Sequence, residues 1–385
     1  MLRVITLIFL LELWAASCFV GCSSEQDLNC WNGELLPLQH SKMLRIDSVF
    51  GEKIVETRVV VGSKTLKNRL VLRDSLSMNK PLPKELAREK VVQVPVKRVV
   101  ALSTTYLGYM LKLGVQDRIV GVGVKDYIAD TSFYLRADSL KMAEVGSGST
   151  INLEKLVALE PDLVITFATG GSNDDYDRLA SLNVPLLLTS EWQETSVLAK
   201  AEWIKLFGAL FGVQNLSDSI FKQINNNYFI LKEKIDKLGL RQPRVLAGMC
   251  YGGVWYAPGG NSLTAHLIQD AGGNYLFAND SSRELRLNLE EILGAADSAD
   301  VWINPGAFAS AQELLAAEPR VKLLEPWKKN RVYQMDKRKG IQGGNDFYEG
   351  AVVAPEKVLQ DMMMVINGSF WNDSISKWYR KIYIF

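Results

Sequence analysis

The residues of this 385-residue chain that could do chemistry are aromatic and small polar residues in glycine-rich stretches. The clearest stretch is YGGVWYAPGG, from Tyr251 to Gly260, which places three aromatic residues among four glycines. Glycine lets a backbone come close to a ligand, and each aromatic ring that stacks on the ligand adds about 1 kcal/mol. This composition favours the binding of a large, flat or lobed ligand. The predicted ligand-binding residues are Thr105, Tyr106, Tyr127, Trp192, Tyr251, Trp255, Tyr256 and Tyr348.

The common catalytic signatures are absent from the sequence. It contains no phosphate-binding GxxxxGKS/T, no GxGxxG, no GxSxG and no HExxH motif. Only two histidines occur, His40 and His266, so neither a histidine-rich metal site nor histidine-based acid–base catalysis is expected. We therefore expect no enzymatic activity and no cofactor. The alternative is a two-lobe α/β hydrolase that uses carboxylates, for which the candidates are Asp126, Glu191, Asp346 and Glu349.

The elements that position these residues alternate between strand and helix from Arg98 onward. The predicted strands, such as DLVITFA and VPLLLTS, are continuous apolar runs rather than alternations of apolar and polar residues. Continuous runs indicate strands that are buried on both faces, as in a parallel sheet covered by helices. In such sheets ligands bind beyond the carboxyl ends of the strands, which is where the aromatic stretches occur.

One motif occurs twice along the chain. NLEKLVALEPDLVI, from Asn152 to Ile165, returns as NLEEILGAADSADVWI, from Asn288 to Ile303. Each copy predicts a helix followed by a buried strand, so the repeat indicates two similar α/β lobes. Between the copies, from Thr195 to Leu238, the strands stop and helical runs follow, the last of roughly 20 residues. We predict that this last run is a single long helix that joins the lobes.

The N-terminal segment differs from the rest of the chain. Arg3 precedes the apolar run VITLIFLLELWAA, and Cys22 directly follows Val20-Gly21, an arrangement that resembles a bacterial lipobox. Cleavage would leave Cys22 as a lipid-modified N-terminus; Cys18 is a second choice, and a plain secretory signal is the alternative. Short alternating segments in residues 23 to 96 predict strands. The predicted domains are a signal peptide at 1–21, a tether and β-rich extension at 22–96, an N-terminal lobe at 97–192, a helical segment with the interlobe helix at 193–239, and a C-terminal lobe at 240–385.

Charge and cysteine content narrow the range of partners. The net charge of +1 gives no electrostatic reason to expect nucleic acid. The four cysteines do not form a disulfide framework, although Cys30 and Cys250 could pair in an oxidising compartment. No segment after the signal is apolar enough to cross a membrane, so we expect a soluble body on a lipid tether.

In combination these motifs resemble the periplasmic-binding proteins of ABC importers that carry iron chelates, haem or cobalamin. The resemblance covers about residues 97 to 366, and it rests on RVVALSTTYLGYMLKLGVQDRIVGVG, NLEKLVALEPDLVI and PGGNSLTAHLIQDAGG. Two further stretches, ETSVLAKAEWIKLFGALFG and NDFYEG, are similar to lipoprotein members from Bacteroidetes. The family resemblance implies two Rossmann-like α/β lobes bridged by a single long helix, here preceded by a β-rich N-terminal extension.

The resemblance also implies a function and partners. An iron–siderophore complex or cobalamin would be captured between the lobes and delivered to an ABC permease dimer with its ATPase subunits. In relatives, a surface glutamate on each lobe docks into the permease; by position these are Glu154 and Glu290, with Glu291 as an alternative to Glu290. We expect a monomer in the cell envelope that faces the periplasm and is anchored through Cys22. A receptor of the same fold that never meets a permease is a further alternative.

The three ligand classes require different side chains. Haem requires an axial tyrosine or histidine, for which several of the predicted tyrosines are candidates. Anionic iron chelates require arginines, whereas the predicted loops contain Lys125 and no arginine, with Arg338 and Lys339 nearby. Cobalamin is nearly neutral and suits aromatic and polar walls without cations. We therefore favour an iron chelate or cobalamin over haem.

Overall fold

The computed structural model describes residues 38–147, 150–171, 174–280 and 283–384. The predicted signal peptide and the predicted lipidation site Cys22 lie outside these ranges. Cys30 lies outside them as well, together with its predicted pairing to Cys250.

The described chain begins with a four-stranded sheet that precedes both lobes. Along β2, Val55, Thr57 and Val59 are completely buried and alternate with residues of the opposite face, the pattern of a strand with one face against a core. The sheet has the order β1-β2-β3-β4, in which β4 alone runs parallel to its neighbour. The predicted β-rich extension is therefore confirmed. The strands are β1 (Leu44–Val49), β2 (Glu52–Val61), β3 (Lys64–Arg73) and β4 (Lys90–Gln93).

The N-terminal lobe contains a five-stranded, wholly parallel sheet of order β7-β6-β5-β8-β9. Its strands are β5 (Val99–Ala101), β6 (Ile119–Val122), β7 (Ala143–Glu144), β8 (Leu163–Phe167) and β9 (Leu186–Thr189). Its helices are α1 (Thr104–Leu113), α2 (Thr131–Ser139), α3 (Leu153–Ala158) and α4 (Tyr176–Ala180). Helix α1 begins where the Ser103 side chain accepts a hydrogen bond from the Thr105 N–H, and it ends at Gly114 in the left-handed conformation.

Three helices follow the first lobe. They are α5 (Val197–Glu202), α6 (Ile204–Phe211) and α7 (Gln214–Lys237). Helix α7 has 24 residues and is therefore about 36 Å long. Its buried face carries Phe221, Ile224, Tyr228 and Ile235 at helical spacing, and it packs against α6 and against the last long helix of the second lobe. Helix α7 is the predicted single long helix between the lobes.

The C-terminal lobe contains two sheets. One has the order β13-β10-β15-β16-β17 and is parallel except for β17; the other is antiparallel, of order β11-β12-β14. The two sheets pack on a shared core that includes Trp255 and Trp302, whose rings are 5.2 Å apart. The strands are β10 (Arg244–Ala247), β11 (Met249–Tyr251), β12 (Val254–Pro258), β13 (Asn274–Tyr275), β14 (Glu284–Asn288), β15 (Val301–Ile303), β16 (Val332–Gln334) and β17 (Arg380–Lys381). The helices are α8 (Leu263–Asp270), α9 (Leu289–Ala296), α10 (Ala311–Ala317), α11 (Glu325–Lys328) and α12 (Pro355–Ile366).

The extension covers the edge strand of the N-terminal lobe. The Thr57 hydroxyl donates to the Leu188 carbonyl of β9 at 2.5 Å. The Asn68 amide donates to the Leu186 carbonyl at 3.1 Å and accepts from the Leu188 N–H at 3.0 Å. Val59 adds an apolar contact in a cluster with Leu188. Because an open edge strand is a site of unwanted pairing, the extension protects this edge of the sheet.

Two buried carboxylates hold residues 39–43 against the helical segment. Glu202 accepts hydrogen bonds from the backbone N–H groups of residues 39 to 41 at 2.8–2.9 Å and from Lys205 Nζ at 3.1 Å. Glu194 accepts from the N–H groups of residues 42 and 43 and from Trp203 Nε1 at 3.0 Å. Together they form a carboxylate clamp that fixes the start of the described chain to α5 and its neighbours.

Candidate functional site

The C-terminal lobe carries an open cleft of about 650 Å³. It lies beyond the carboxyl ends of β10, β15 and β16, where Gly248, Asn304 and Gln334 form its floor. Met249 and Tyr256, from the exposed face of the antiparallel sheet, form one wall, and the segment that contains Tyr348 forms another. This is the position at which α/β sheets bind ligands.

The N-terminal lobe has a smaller pocket of about 160 Å³ at the equivalent place. It lies beyond the carboxyl ends of β5, β6 and β8 and is mostly apolar, with Leu102, Val122 and Phe167 in its lining. Its polar side chains are those of Ser103, Thr104, Tyr127 and Ser147.

Residues 339–349 join the two pockets. The Thr105 hydroxyl donates to the Tyr348 carbonyl at 2.9 Å. The Glu349 carboxylate accepts hydrogen bonds from the N–H groups of Ala129 and Asp130 at 2.9 and 2.7 Å. Gly344 lies so close to the Tyr127 backbone that a Cβ could not fit. Tyr127 lines one pocket and Tyr348 the other, so the two pockets flank this joint between the lobes, and together they are called the interlobe cleft.

Burial dominates the electrostatics of this joint. Burial raises the pKa of Glu349 to about 7, and the hydrogen bonds from Ala129 and Asp130 offset part of that rise. Burial also raises the pKa of Tyr348, with a smaller contribution from the Asp336 carboxylate. The Tyr348 hydroxyl therefore stays protonated at neutral pH and can donate a hydrogen bond to a ligand.

The floor of the cleft presents hydrogen-bond acceptors. Asn304 Oδ1 and Gln334 Oε1 are buried without a hydrogen-bond partner among the described residues, while the Asn304 side chain also forms a hydrogen bond with Tyr379. Asn304 also has a left-handed backbone with φ of 57°, an uncommon conformation that places its side chain at the end of β15. A buried acceptor without a donor costs about 1–3 kcal/mol, so the floor is suited to a ligand that carries N–H or O–H groups.

The charges around the cleft are balanced. Arg283 and Lys339 line it together with Glu284 and Asp336. The Asp336 carboxylate is paired with Lys339 at 2.9 Å and with Arg380 at 2.6 Å, and these cations hold its pKa below the usual value against the effect of burial. Asp336 is thus shared by two cations, and Arg283 forms no ion pair among the described residues. Within the described ranges no group of three or more His, Cys, Asp or Glu side chains could hold a metal ion.

The structure brings three of the predicted ligand-binding residues to the cleft. Tyr127 lines the N-terminal pocket, and Tyr256 and Tyr348 line the C-terminal one. Trp192 and Tyr251 are exposed, at 43% and 75% respectively, in segments that follow or form strand ends, but they line neither pocket. Thr105 is buried, and its hydroxyl is used in the contact between the lobes.

Two predicted ligand-binding residues belong instead to the core. Trp255 is completely buried, and its Nε1 donates to the Ala247 carbonyl at 3.2 Å. Tyr106 is also completely buried, and its hydroxyl is hydrogen-bonded to Thr189 at 2.7 Å. Side chains alternate along β12, so Tyr256 faces the cleft while Trp255 faces inward. Neither Trp255 nor Tyr106 can contact a ligand in this arrangement, and both predictions are corrected.

Three residues of the cleft were not predicted from the sequence: Asn304, Gln334 and Asp336. The available signal was their position directly at or after the predicted strands VWI and VYQ, where the carboxyl-end rule places ligand contacts. The predicted charge near the cleft from Lys339 is present in the lining, but Asp336 neutralises it.

The two NLE motifs both begin helices at an asparagine cap. Asn152 accepts from the Lys155 N–H at the start of α3, and Asn288 accepts from the Glu291 N–H at the start of α9, each at 2.8 Å. The Glu291 carboxylate accepts a hydrogen bond from the Asn288 N–H at 2.8 Å, which completes a capping box. The carboxylate of Glu291 is therefore used within its own helix cap. Glu290 and Glu154 are both exposed, and Glu290 pairs with Arg320 at 3.1 Å.

A family model described as "Periplasmic binding protein" matches residues 99–339. The ABC transporter substrate-binding lipoprotein YvrC of Bacillus subtilis, itself uncharacterised, is 22% identical over 276 residues, which are 69% of this chain and 81% of that protein. The vitamin B12-binding protein of Yersinia pestis is 22% identical over 200 residues, 51% of this chain and 66% of that protein. The solved structure of a periplasmic haem-binding protein from Pseudomonas aeruginosa superposes with a TM-score of 0.55 at 16% identity, over 71% of this chain and 94% of that one, which shows a shared fold.

The chain belongs to the periplasmic binding protein family, and it is a solute-binding protein of the ABC transporter type. The family consists of solute-binding proteins, so the carboxylate-based hydrolase is not supported. Two of the carboxylates considered for a hydrolase have structural roles. Glu349 accepts hydrogen bonds from backbone N–H groups, and Asp346 accepts one from Trp378 Nε1 at 2.8 Å. Among the described residues no helix has the length and apolar character to span a bilayer.

Proposed function

We propose that the protein captures an iron–siderophore complex or cobalamin in the interlobe cleft and delivers it to an ABC permease. The observation that carries this proposal is the pairing of two strand-end pockets, one about 650 Å³ and one about 160 Å³, with tyrosines on both sides. A ligand large enough to touch both pockets would bury its flat faces against these rings.

Within this range the chemistry of the cleft favours a neutral chelate that carries amide groups, as cobalamin does. Amide N–H groups would satisfy the acceptors of Asn304 and Gln334. An anionic catecholate or a haem with its propionates would require several free cations, whereas Lys339 is paired with Asp336 and only Arg283 lines the cleft without an ion pair among the described residues. The similarity to the vitamin B12-binding protein of Yersinia pestis supports the same choice. Haem remains the alternative, with Tyr127, Tyr256 or Tyr348 as the axial ligand.

Delivery requires contacts outside the cleft. We assign docking to Glu154 on α3 and Glu290 on α9, because two fixed charges on separate lobes define an orientation on a permease with twofold symmetry. Attachment to the membrane is assigned to a lipid on Cys22, which leaves a monomeric body facing the periplasm. The proposed domains are the tether and extension at 22–96, the lobes at 97–192 and 240–385, and the helical segment at 193–239.

Absorbance spectroscopy tests the ligand assignment. Purified protein would be mixed with cobalamin, haemin or a ferric siderophore, then desalted, and its spectrum recorded. Retained cobalamin or siderophore bands near one equivalent would support the proposal. A retained Soret band alone would replace it with the haem alternative. Retention of none of the three would contradict the proposed ligand class.

Uptake measurements test docking separately from binding. The double variant Glu154→Ala, Glu290→Ala should keep its affinity for the ligand and lose most uptake, because only the permease contact is removed. A matched control is Glu313→Ala, which changes a half-exposed helix acid elsewhere on the C-terminal lobe. Unchanged uptake in the double variant would favour the receptor that never meets a permease.

A further inference from the structure

The C-terminal lobe has a second cavity, of about 460 Å³, at the end of the sheet opposite the cleft. It lies where β10 and β16 begin and where α12 ends. Because the interlobe cleft lies at the carboxyl ends of the same strands, this cavity is separate from the proposed ligand site. Its polar lining consists of Arg241, Arg331, Tyr333, Asn367, Ser369 and Lys381.

The cavity holds more positive than negative charge. Arg241 is paired with Asp300 at 3.1 Å, but neither Arg331 nor Lys381 forms an ion pair with an acid in the described part of the chain. Lys381 lies in β17 opposite Tyr333, with Nζ over the Tyr383 ring at 5.4 Å. Burial lowers the pKa of Lys381, and the positive charge of Arg331 lowers it further, so the two cations are close enough to repel each other. A bound anion would remove this repulsion.

The fold uses only part of the Arg331 guanidinium. Its Nη2 donates to the carbonyls of Val365 and Ile366 at 3.2 and 2.5 Å, which places a cation at the C-terminus of α12. The guanidinium also forms a hydrogen bond with the Tyr333 hydroxyl, whereas its Nε–H is buried without an acceptor among the described residues. Trp371, whose ring lies 4.8 Å from that of Tyr333, likewise keeps a buried N–H without an acceptor in this part of the chain. The carbonyls at the end of α12 therefore account for Nη2, and the Nε–H remains a donor that an acceptor-rich ligand would satisfy.

We propose that this cavity binds a phosphate-type oxyanion through Arg331 and Lys381. The planar guanidinium presents its donors in a fork that matches two oxygens of such an anion, and the lysine supplies a compact charge for a third. Asn367 and Ser369 line the same space and can donate neutral hydrogen bonds. The anion could be free phosphate or the phosphate of a lipid headgroup, since both present the same oxygens.

Thermal unfolding of the purified protein in increasing inorganic phosphate, at an ionic strength held constant with chloride, tests the site. The unfolding midpoint of the unmodified protein should rise with phosphate concentration. Lys381→Gln should lower the phosphate affinity at least about tenfold, because it removes a charge-assisted hydrogen bond of about 1.5–3 kcal/mol. Lys322→Gln removes an exposed lysine of the same lobe outside the cavity and should leave the affinity unchanged.

Further measurements separate the sources and the alternatives. Arg331→Lys keeps the charge but loses the fork, so it should also weaken phosphate binding even if Lys381→Gln proves unstable. A water-soluble short-chain phosphatidylglycerol that binds more tightly than phosphate would identify a lipid headgroup as the source. Equal effects of phosphate on the Lys381→Gln and Lys322→Gln proteins would overturn the proposal. So would the absence of any stabilisation by phosphate and by the soluble lipid.

Discussion

The two halves of the cleft occupy equivalent places in two similar sheets, yet they differ in chemistry. The N-terminal half is small and mostly apolar, with Phe167 and Leu102 at its base. The C-terminal half is about four times larger and presents two unpaired acceptors, Asn304 and Gln334, beside a balanced set of charges. The two lobes therefore share a similar fold, but their pockets differ in size and polarity. We infer that the C-terminal half selects the ligand and the N-terminal half covers it.

The largest expected effect is on stability, and it distinguishes two neighbours in β12: Trp255 in the core and Tyr256 in the cleft wall. Trp255→Ala should lower the free energy of unfolding by about 3–5 kcal/mol, because it leaves a cavity beside Trp302. Tyr256→Ala, one residue further on and facing the cleft, should cost less than about 1 kcal/mol in stability and weaken ligand binding about tenfold. Urea unfolding and ligand titration of both variants would measure this. Similar stability losses in the two would refute the assignment of faces.

The stability of the contact between the two lobes should depend on pH through Glu349. Its pKa is about 7 in the folded protein against an ordinary 4.5, so the folded state binds more protons than the unfolded state between these values. The contribution of Glu349 to stability should therefore fall as pH rises from 4.5 to 7, by at most about 3 kcal/mol. Glu349→Gln should remove that part of the pH dependence. Urea midpoints at pH 5 and pH 7.5 would show it, with the exposed Glu154→Gln as a control that keeps the wild-type profile.

The difference in polarity between the halves predicts unequal mutational effects on binding. Asn304→Ala and Gln334→Ala should each weaken ligand binding about tenfold, since each removes a hydrogen bond of about 1–1.5 kcal/mol. Ser103→Ala, at the mouth of the N-terminal half, should change the affinity less than about threefold. Equilibrium titration with the ligand identified by spectroscopy gives the comparison. A larger loss for Ser103→Ala than for the other two would reverse the roles of the halves.

The smallest expected effect concerns the two glutamates that we propose dock on the permease. Glu290 pairs with Arg320 at 3.1 Å, whereas Glu154 forms no ion pair with any described residue. Exposed pairs contribute about 0.2–1 kcal/mol, so Glu290 must give up a weak internal contact before it can dock. Glu154→Ala should therefore reduce uptake a few-fold more than Glu290→Ala. Uptake rates of the two single variants at equal ligand occupancy would decide, and an equal loss would show that the Arg320 contact has no influence.

Much of the fold could be predicted from the sequence because its signals are local. Continuous apolar runs predicted the parallel strands. The last helical run before Leu238 predicted the long helix. The repeated NLE motif predicted two lobes because the asparagine cap and the helix it begins are encoded within a few residues.

The site was harder to predict because it depends on tertiary context. YGGVWYAPGG does not reveal which aromatic faces the core until the register of β12 against β14 is known. Asn304 and Gln334 are candidate ligand contacts because their side-chain oxygens lack a hydrogen-bond partner among the described residues. No sequence motif encodes that feature. Asp336 pairs with Arg380, 44 residues away in the sequence. The start of the extension is held by glutamates more than 150 residues downstream.

The carboxylate clamp of Glu194 and Glu202 has a mechanical consequence for a tethered protein. If the protein is tethered as proposed, a pull on the start of the described chain acts on residues 39–43, where several backbone hydrogen bonds share the load. Glu202 lies in α5 and Glu194 just before it, so the force passes into the helical segment next to the long helix. The strand-end loops that form the cleft lie outside this path. A tether attached in this way can restrain the protein at a surface without pulling its ligand site open.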